Sequence, residues 1–432
     1  MRRLHAKTAR MPMQDIKSSI SKMASVLKVH GEAMRLRATA GVFGTEKKAL
    51  STWEWQFVAL SSAKIINYLK PLRLSFALLS QSSSLLLKKF CLLTACTLFA
   101  AVGSKADFSI LSPTKHLAFQ EGKPPIQWVQ PTISGKPSSA LFGCTRNRGQ
   151  RFHEGLDIRP LQRDRMGEAT DSVFASLAGK VVFINTHFDK SNYGRYVVLE
   201  HEQTEPVLYT LYAHLAEIDK DLSLGGMIKQ GERLGKMGRS ANHRIPQKRA
   251  HLHWEIGLRL SDAFEVWYQQ QHFDEPNRFG NFHGWNLQGF DPLDFLTQWR
   301  SGKIKSITSY LKSLPIAYRV QVRNKRAPFF VQRHPSLLLS DLPSETELKG
   351  WEIGFTIHGL PTEWKPILEI EDFSSKAMIS LTDYQPQMFA AHPCLKPFTS
   401  KRSQVQWSES LLSRLGILFQ HKVTTNLPAR SP

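Results

Sequence analysis

The sequence shows no internal repeat and no heptad pattern, which excludes an array of repeats or a coiled coil as its organising principle. Its apolar run from Phe90 to Gly103 is ~14 residues long, short of the ~20 that a membrane-spanning helix needs. Cysteine is scarce, with four in 432 residues. Cys144 and Cys394 are too far apart to give a spacing signal, so pairing in an oxidising compartment and two free thiols both stay open. Acidic residues are few, 36 Asp and Glu against 57 Lys and Arg. The resulting net charge of +21 is unevenly spread, because residues 1–106 hold roughly 17 basic and 4 acidic side chains. An excess that sits mainly at one end weighs against nucleic acid as the partner of the whole chain, whereas the mildly basic remainder suits an anionic polymer surface.

What is present is enough for two domains: 432 residues, of which 41% are hydrophobic. Residues 1–106 read as a basic leader. Lys88-Lys89, the apolar run and the small residues of Ser104-Lys105-Ala106 have the layout of a signal peptide at about 88–106, which would be cleaved. Cys91 and Cys96 would leave with it. A signal peptide almost ninety residues from Met1 implies a misassigned start, with a basic N-terminal extension as the alternative. Leu93-Thr94-Ala95-Cys96 resembles a lipoprotein box, but too little apolar sequence precedes it. The mature form then has no stable membrane span. From Asp107 to about Gly149, Pro, Ser and Gly punctuate short apolar pieces, as in an extended arm.

The chemistry centres on Ala250-His251-Leu252-His253-Trp254-Glu255-Ile256. Read as a strand, it directs His251, His253 and Glu255 to one side and Leu252, Trp254 and Ile256 to the other. Two imidazoles side by side can address one small object, such as a metal ion and its water; surface histidines are the plain alternative. A second stretch is Phe152-His153-Glu154-Gly155-Leu156-Asp157-Ile158. Gly155 and Pro160 argue against a helix, and on a straight strand His153 and Asp157 stand ~13 Å apart. A kink at Gly155 would let both reach one ion; an incidental polar turn is the alternative. Between these stretches, strand-like pieces at Ser172–Ala175, Lys180–Ile184, Tyr196–Leu199 and Val207–Leu211, with Gly-marked turns, predict an antiparallel sheet. His214 ends the last of them.

The ordered set resembles the lysostaphin-type, LytM-class zinc endopeptidases that cut peptide bonds in peptidoglycan. It comprises His-x-Gly-x-Asp, Tyr212-Ala213-His214-Leu215, a Gly-rich turn and His-Leu-His-aromatic-Glu. Phe174 to Val182, Tyr193 to His201, Lys229-Gln230-Gly231, Leu234-Gly235 and Asp291-Pro292-Leu293 add to the resemblance, which covers about residues 107–300. It implies a mainly β, antiparallel-sheet peptidase domain with an open groove. It implies one Zn2+ held by His153, Asp157 and His253, with His214 and His251 beside the metal's water as the catalytic pair, their roles unassigned. Two imidazoles and a carboxylate leave a fourth position open, as catalysis requires. Glu255 would support rather than ligate. The basic loop Asn242 to Arg249 replaces the family's Gly-rich run, and residues 260–290 look like an aromatic-rich insertion that either lines the groove or packs beside it.

Residues 301–432 read as a smaller β-rich domain of unknown role, with a helix-like stretch at Ile304–Leu314 and a polar end from Thr424. Apolar pieces at Ile316–Val322, Trp351–Ile357 and Ile367–Ile370 would be its strands. The expectation is a secreted, periplasmic or envelope zinc endopeptidase acting on peptidoglycan cross-link peptides, with no nucleic-acid partner. The competing readings are a non-catalytic envelope or wall-binding protein of the same shape, which regulates other wall hydrolases, and a zinc peptidase of protein substrates.

Overall fold

Two apolar runs, Tyr196–His201 and Leu208–Ala213, are buried at every position, and a strand buried on both sides belongs in the middle of a sheet. The computed structural model, which describes residues 109–374, 377–401 and 404–420, places them there. The expected leader and the polar end from Thr424 lie outside the described residues.

The strands, in chain order, are β1 (Gly143–Arg146), β2 (Arg151–His153), β3 (Leu156–Ile158), β4 (Ser172–Phe174), β5 (Gly179–Asn185) and β6 (Tyr196–His201). Next come β7 (Leu208–Ala213), β8 (Leu215–Ile218), β9 (Met227–Ile228), β10 (Arg233–Met237), β11 (Leu252–Arg259) and β12 (Leu287–Gly289). A seven-stranded antiparallel sheet runs β12-β11-β7-β6-β5-β9, with β3 pairing onto β11. Beside it lie the three-stranded sheet β4-β10-β8 and the hairpin β1-β2. The fold is mainly β, as the alternation and the turn spacing imply.

Side-chain alternation gives the large sheet two faces. Val197, Leu199, Tyr212, Leu252, Trp254 and Ile256 enter the main core, with Trp128 and Phe119 from the N-terminal segment packed on Trp254's side. Tyr196, Val198, Tyr209, Leu211 and Ala213 form a smaller cluster on the opposite face. His253 pairs with Ala213 and Glu255 with Leu211, so the polar side chains of β11 stand on that second face.

Beyond helix α1 (Pro292–Arg300) and helix α2 (Ile307–Ser313), the latter opened by a Ser306–Ser309 capping box, a four-stranded antiparallel sheet follows. Its strands are β13 (Ile316–Val322), β14 (Gly350–Thr356), β15 (Pro361–Ile367) and β16 (Ile379–Tyr384), in the order β15-β14-β13-β16. Here one expectation is corrected. The strand expected at Ile367–Ile370 lies earlier, over Pro361–Ile367, and Ile370 begins a short turn of 3-10 helix. Gly359-Leu360-Pro361 has the composition of a turn, but at the start of a strand and at a sheet edge the missing N–H of Pro361 costs no ladder bond. Among the described residues no helix is long and apolar enough to cross a membrane.

The described residues form one compact unit, and its two sheet systems are tied together by polar contacts. Buried Glu200 on β6 accepts from Arg259 on β11 and from Arg333, each at 2.7 Å. Gln288 donates to the carbonyl of His358 at 3.1 Å. Cys144 on β1 is disulfide-bonded to Cys394, across 250 residues.

Closing so long a loop restricts the unfolded chain, so Cys394→Ser should lower stability by about 2–5 kcal/mol. Reductant should shift the urea midpoint of the wild type and leave that of the variant unchanged. A second test concerns acid. Buried His201 bonds to the Ala178 carbonyl at 2.7 Å and the Thr210 hydroxyl at 2.8 Å, and burial drives its pKa from 6.5 down to about 4. The unfolded chain binds that proton first, so His201's contribution, on the order of 3 kcal/mol, is complete above pH ~6.5 and is lost as pH falls towards ~4. Urea midpoints measured from pH 7 to 4.5 should fall, and less steeply for His201→Gln; equal slopes would contradict the assignment.

Candidate metal centre and groove

The chain changes partners at Gly155. Up to His153 it pairs with β1, and from Leu156 it pairs with β11, where Asp157 sits opposite His253. A Cβ on Gly155 would stand 2.3 Å from the Trp254 carbonyl oxygen and 3.0 Å from Glu255 Cγ, so only glycine lets the backbone cross β11 so closely. This crossing is the kink that the spacing of His153 and Asp157 called for.

It brings three buried donor atoms together. His153 Nε2, His253 Nδ1 and Asp157 Oδ1 are mutually 3.1 Å apart. Their other atoms fix which electron pairs are free. His153 Nδ1 lies 2.9 Å from the Leu141 carbonyl, which can only accept, so Nδ1 carries the proton and Nε2 a lone pair. His253 Nε2 donates to Glu255 Oε1 at 2.9 Å, leaving a lone pair on Nδ1. Three electron pairs therefore face one point, which is unfavourable unless positive charge sits there.

The donor set fits a zinc ion. Tetrahedral bonds of ~2.0–2.1 Å need donors roughly 3.3 Å apart, close to the spacing observed. The surrounding bonds also have the form that orients metal ligands. Glu255, which holds His253, itself accepts from Tyr193 Oη at 2.6 Å and Tyr209 Oη at 3.0 Å. Arg146 Nη2 donates to Asp157 Oδ2 at 2.5 Å.

The electrostatics agree. Burial opposes charge on Asp157, yet His153, His251 and Arg146 hold its carboxyl well below the usual carboxylate range. Burial drives His153 down to about 4. Burial also opposes charge on His253, but hydrogen bonds to Asp157 and Glu255 lift it to about 9. The pocket thus favours a positive charge on the side of His253 that faces the other two donors.

The two remaining histidines stand alongside. The His214 and His251 ring centroids are 4.7 Å apart, and His251 Nε2 lies 3.5 Å from Asp157 Oδ1. His214 Nδ1 bonds to the Ser240 carbonyl at 2.8 Å and His251 Nδ1 to the Arg249 carbonyl at 2.7 Å. Each therefore keeps a lone pair on Nε2. Burial lowers both pKa values, so both rings are neutral at pH 7. His214 has a left-handed backbone, φ 61°, uncommon outside glycine; its N–H bonds to the Tyr193 carbonyl at 2.9 Å.

The site opens into a groove of about 840 Å3. The basic loop contributes Asn242, Arg244 and Arg249 to it, and the 260–290 segment contributes Phe279, His283 and Trp285. That segment does both things open to it, because Phe264 and Trp267 are buried in the core. All five expected site residues come together. Arg146 and the tyrosines behind Glu255 were not singled out; nothing in local spacing marks them, since they are defined by strand register.

The model of peptidase family M23 matches residues 151–265. Among solved structures the chain is similar to a zinc containing peptidase from Vibrio cholerae, at 22% identity over 35% of this chain and 37% of that one, with a TM-score of 0.24. It is similar to the catalytic domain of the antimicrobial peptidase lysostaphin from Staphylococcus simulans, at 18% identity over 37% and 89%, with a TM-score of 0.24. It is also similar to the SpoIIQ–SpoIIIAH pore forming complex, at 20% identity over 49% and 100%, with a TM-score of 0.29. The chain thus spans 37% of the length of the first of these. No curated protein matches it. The stretch that matches the peptidase family M23 model, residues 151–265, holds all five polar groups of the site.

Proposed function

We propose that this protein is a secreted or envelope-located zinc endopeptidase that hydrolyses peptide bonds in peptidoglycan cross-links. The observation that carries the reading is the convergence of three lone pairs at 3.1 Å with two neutral imidazoles beside them. His153, Asp157 and His253 would hold the zinc. When bound, the ion supplies a Lewis acid that polarises the scissile carbonyl and acidifies water.

The rest falls to the chain. His251 or His214 accepts the attacking water's proton on Nε2, the only ring position that each has free. While neutral, neither ring can donate from Nε2. The ring that has taken the proton becomes the donor, first steadying the oxyanion and then protonating the leaving nitrogen. The Ser240 and Arg249 carbonyls support that charge by accepting from Nδ1. Glu255 keeps His253 in the tautomer that presents Nδ1, and Arg146 keeps Asp157 ionised.

The purified chain should retain one zinc per molecule by elemental analysis, and His153→Ala should lose it. On cell-wall sacculi, His251→Ala should keep the metal and release peptide fragments about 10²–10⁴-fold more slowly. Chelator should abolish release by the wild type. Equal release by wild type, chelated protein and His251→Ala would instead favour a non-catalytic wall protein, and fragments from protein substrates alone would move the substrate class.

A further inference from the structure

Five cations line the groove, Arg146, Arg151, Lys190, Arg244 and Arg249, against the carboxylates of Glu154 and Asp157 alone. Asp157 is already committed to Arg146 and the two histidines. Lys190 has a partner, Asp189, 3.2 Å away on the exposed rim. Arg151, Arg244 and Arg249 make no ion pair and no side-chain hydrogen bond among the described residues. Arg249 is the most telling. Its side chain is half-buried, its Nε is shielded from solvent without a partner, and its own carbonyl holds the His251 ring at 2.7 Å. A donor shielded from water without an acceptor is costly, and the fork of the guanidinium matches a carboxylate. It stands two residues from an imidazole that would handle the substrate's protons.

We infer that the groove selects peptides bearing free carboxylates close to the scissile bond, with Arg249 and Arg244 as the residues that read them. The loop that carries both is the basic segment Asn242–Arg249, which gives the otherwise unassigned departure from a Gly-rich run a purpose. The inference rests on the groove being the substrate site, as proposed above, and it deepens that reading by naming the substrate's charge. A neutral peptide would offer the Arg249 guanidinium no charged acceptor, whereas an acidic one supplies a charge-assisted bond at each arginine it reaches.

The test is equilibrium binding of a dye-labelled short peptide with two free carboxylates, and of its diamide, to the full chain. Binding is read separately from cleavage, so a chain that binds with the expected preference but cuts neither peptide contradicts the peptidase reading and not this one. The diacid should bind at least about tenfold more tightly. Its advantage should shrink as salt rises from 50 to 500 mM. Arg249→Gln and Arg244→Gln should each narrow the ratio between the two peptides. Equal affinity for diacid and diamide, or a ratio that neither salt nor either substitution changes, would overturn the inference. So would displacement of the diacid by a phosphodiester oligomer more readily than by unlabelled diacid, which would make a phosphate-bearing polymer the occupant.

Discussion

Three unshared electron pairs pointed at one spot in a buried corner are a standing electrostatic conflict, and the surrounding structure is arranged so that only a cation relieves it. The Leu141 carbonyl accepts from His153 Nδ1–H, Glu255 accepts from His253 Nε2–H, and Arg146 donates to the far oxygen of Asp157. Each of these bonds fixes a tautomer or an ionisation state, so that with His253 neutral the three central atoms are all acceptors and a cation among them satisfies each one. The cost of that arrangement is borne by the sheet. Gly155 passes within contact of Trp254 on β11, and His253 stands opposite the small Ala213 on β7.

The same constraint explains how the outer parts serve the centre. The β1 strand carries Arg146 at one end and is bonded through Cys144 to Cys394, so the residue that steadies Asp157 lies two positions from the covalent tie to the C-terminal segment. Glu200 gathers Arg259 from the central sheet and Arg333 from beyond it. A buried carboxylate shared by two guanidiniums is a poor source of net stability, but it penalises any displacement that leaves one charge alone. These ties lie outside the groove, whose lining runs from Thr132 to Trp285 and includes no residue of the second sheet.

Much of this was legible in the chain. The alternation from His251 to Ile256 assigned the two faces of β11 correctly, because a strand's period of two leaves no freedom once Leu252, Trp254 and Ile256 are committed to the core. The glycine between His153 and Asp157 betrayed the kink, because neither a helix nor a straight strand could bring those side chains to one ion. The partners that hold the ligands were not legible. Arg146, Tyr193 and Tyr209 reach Asp157 and Glu255 from 11, 62 and 46 residues away, through pairing registers that no local pattern encodes. The Cys144–Cys394 bond was open for the same reason. His214's left-handed backbone was hidden too, since a histidine at a strand end looks alike in any conformation. The strand near Ile367 was misplaced because Gly359-Leu360-Pro361 looks like a turn, whereas a proline can open a strand that lies at a sheet edge.

The most direct test of the central claim is X-ray absorption at the zinc edge of the metal-loaded full chain. The account predicts two imidazole nitrogens and one carboxylate oxygen at ~2.0–2.1 Å, with one further light-atom ligand. A spectrum with a single imidazole, with sulfur ligation, or with the zinc held only by water would contradict it.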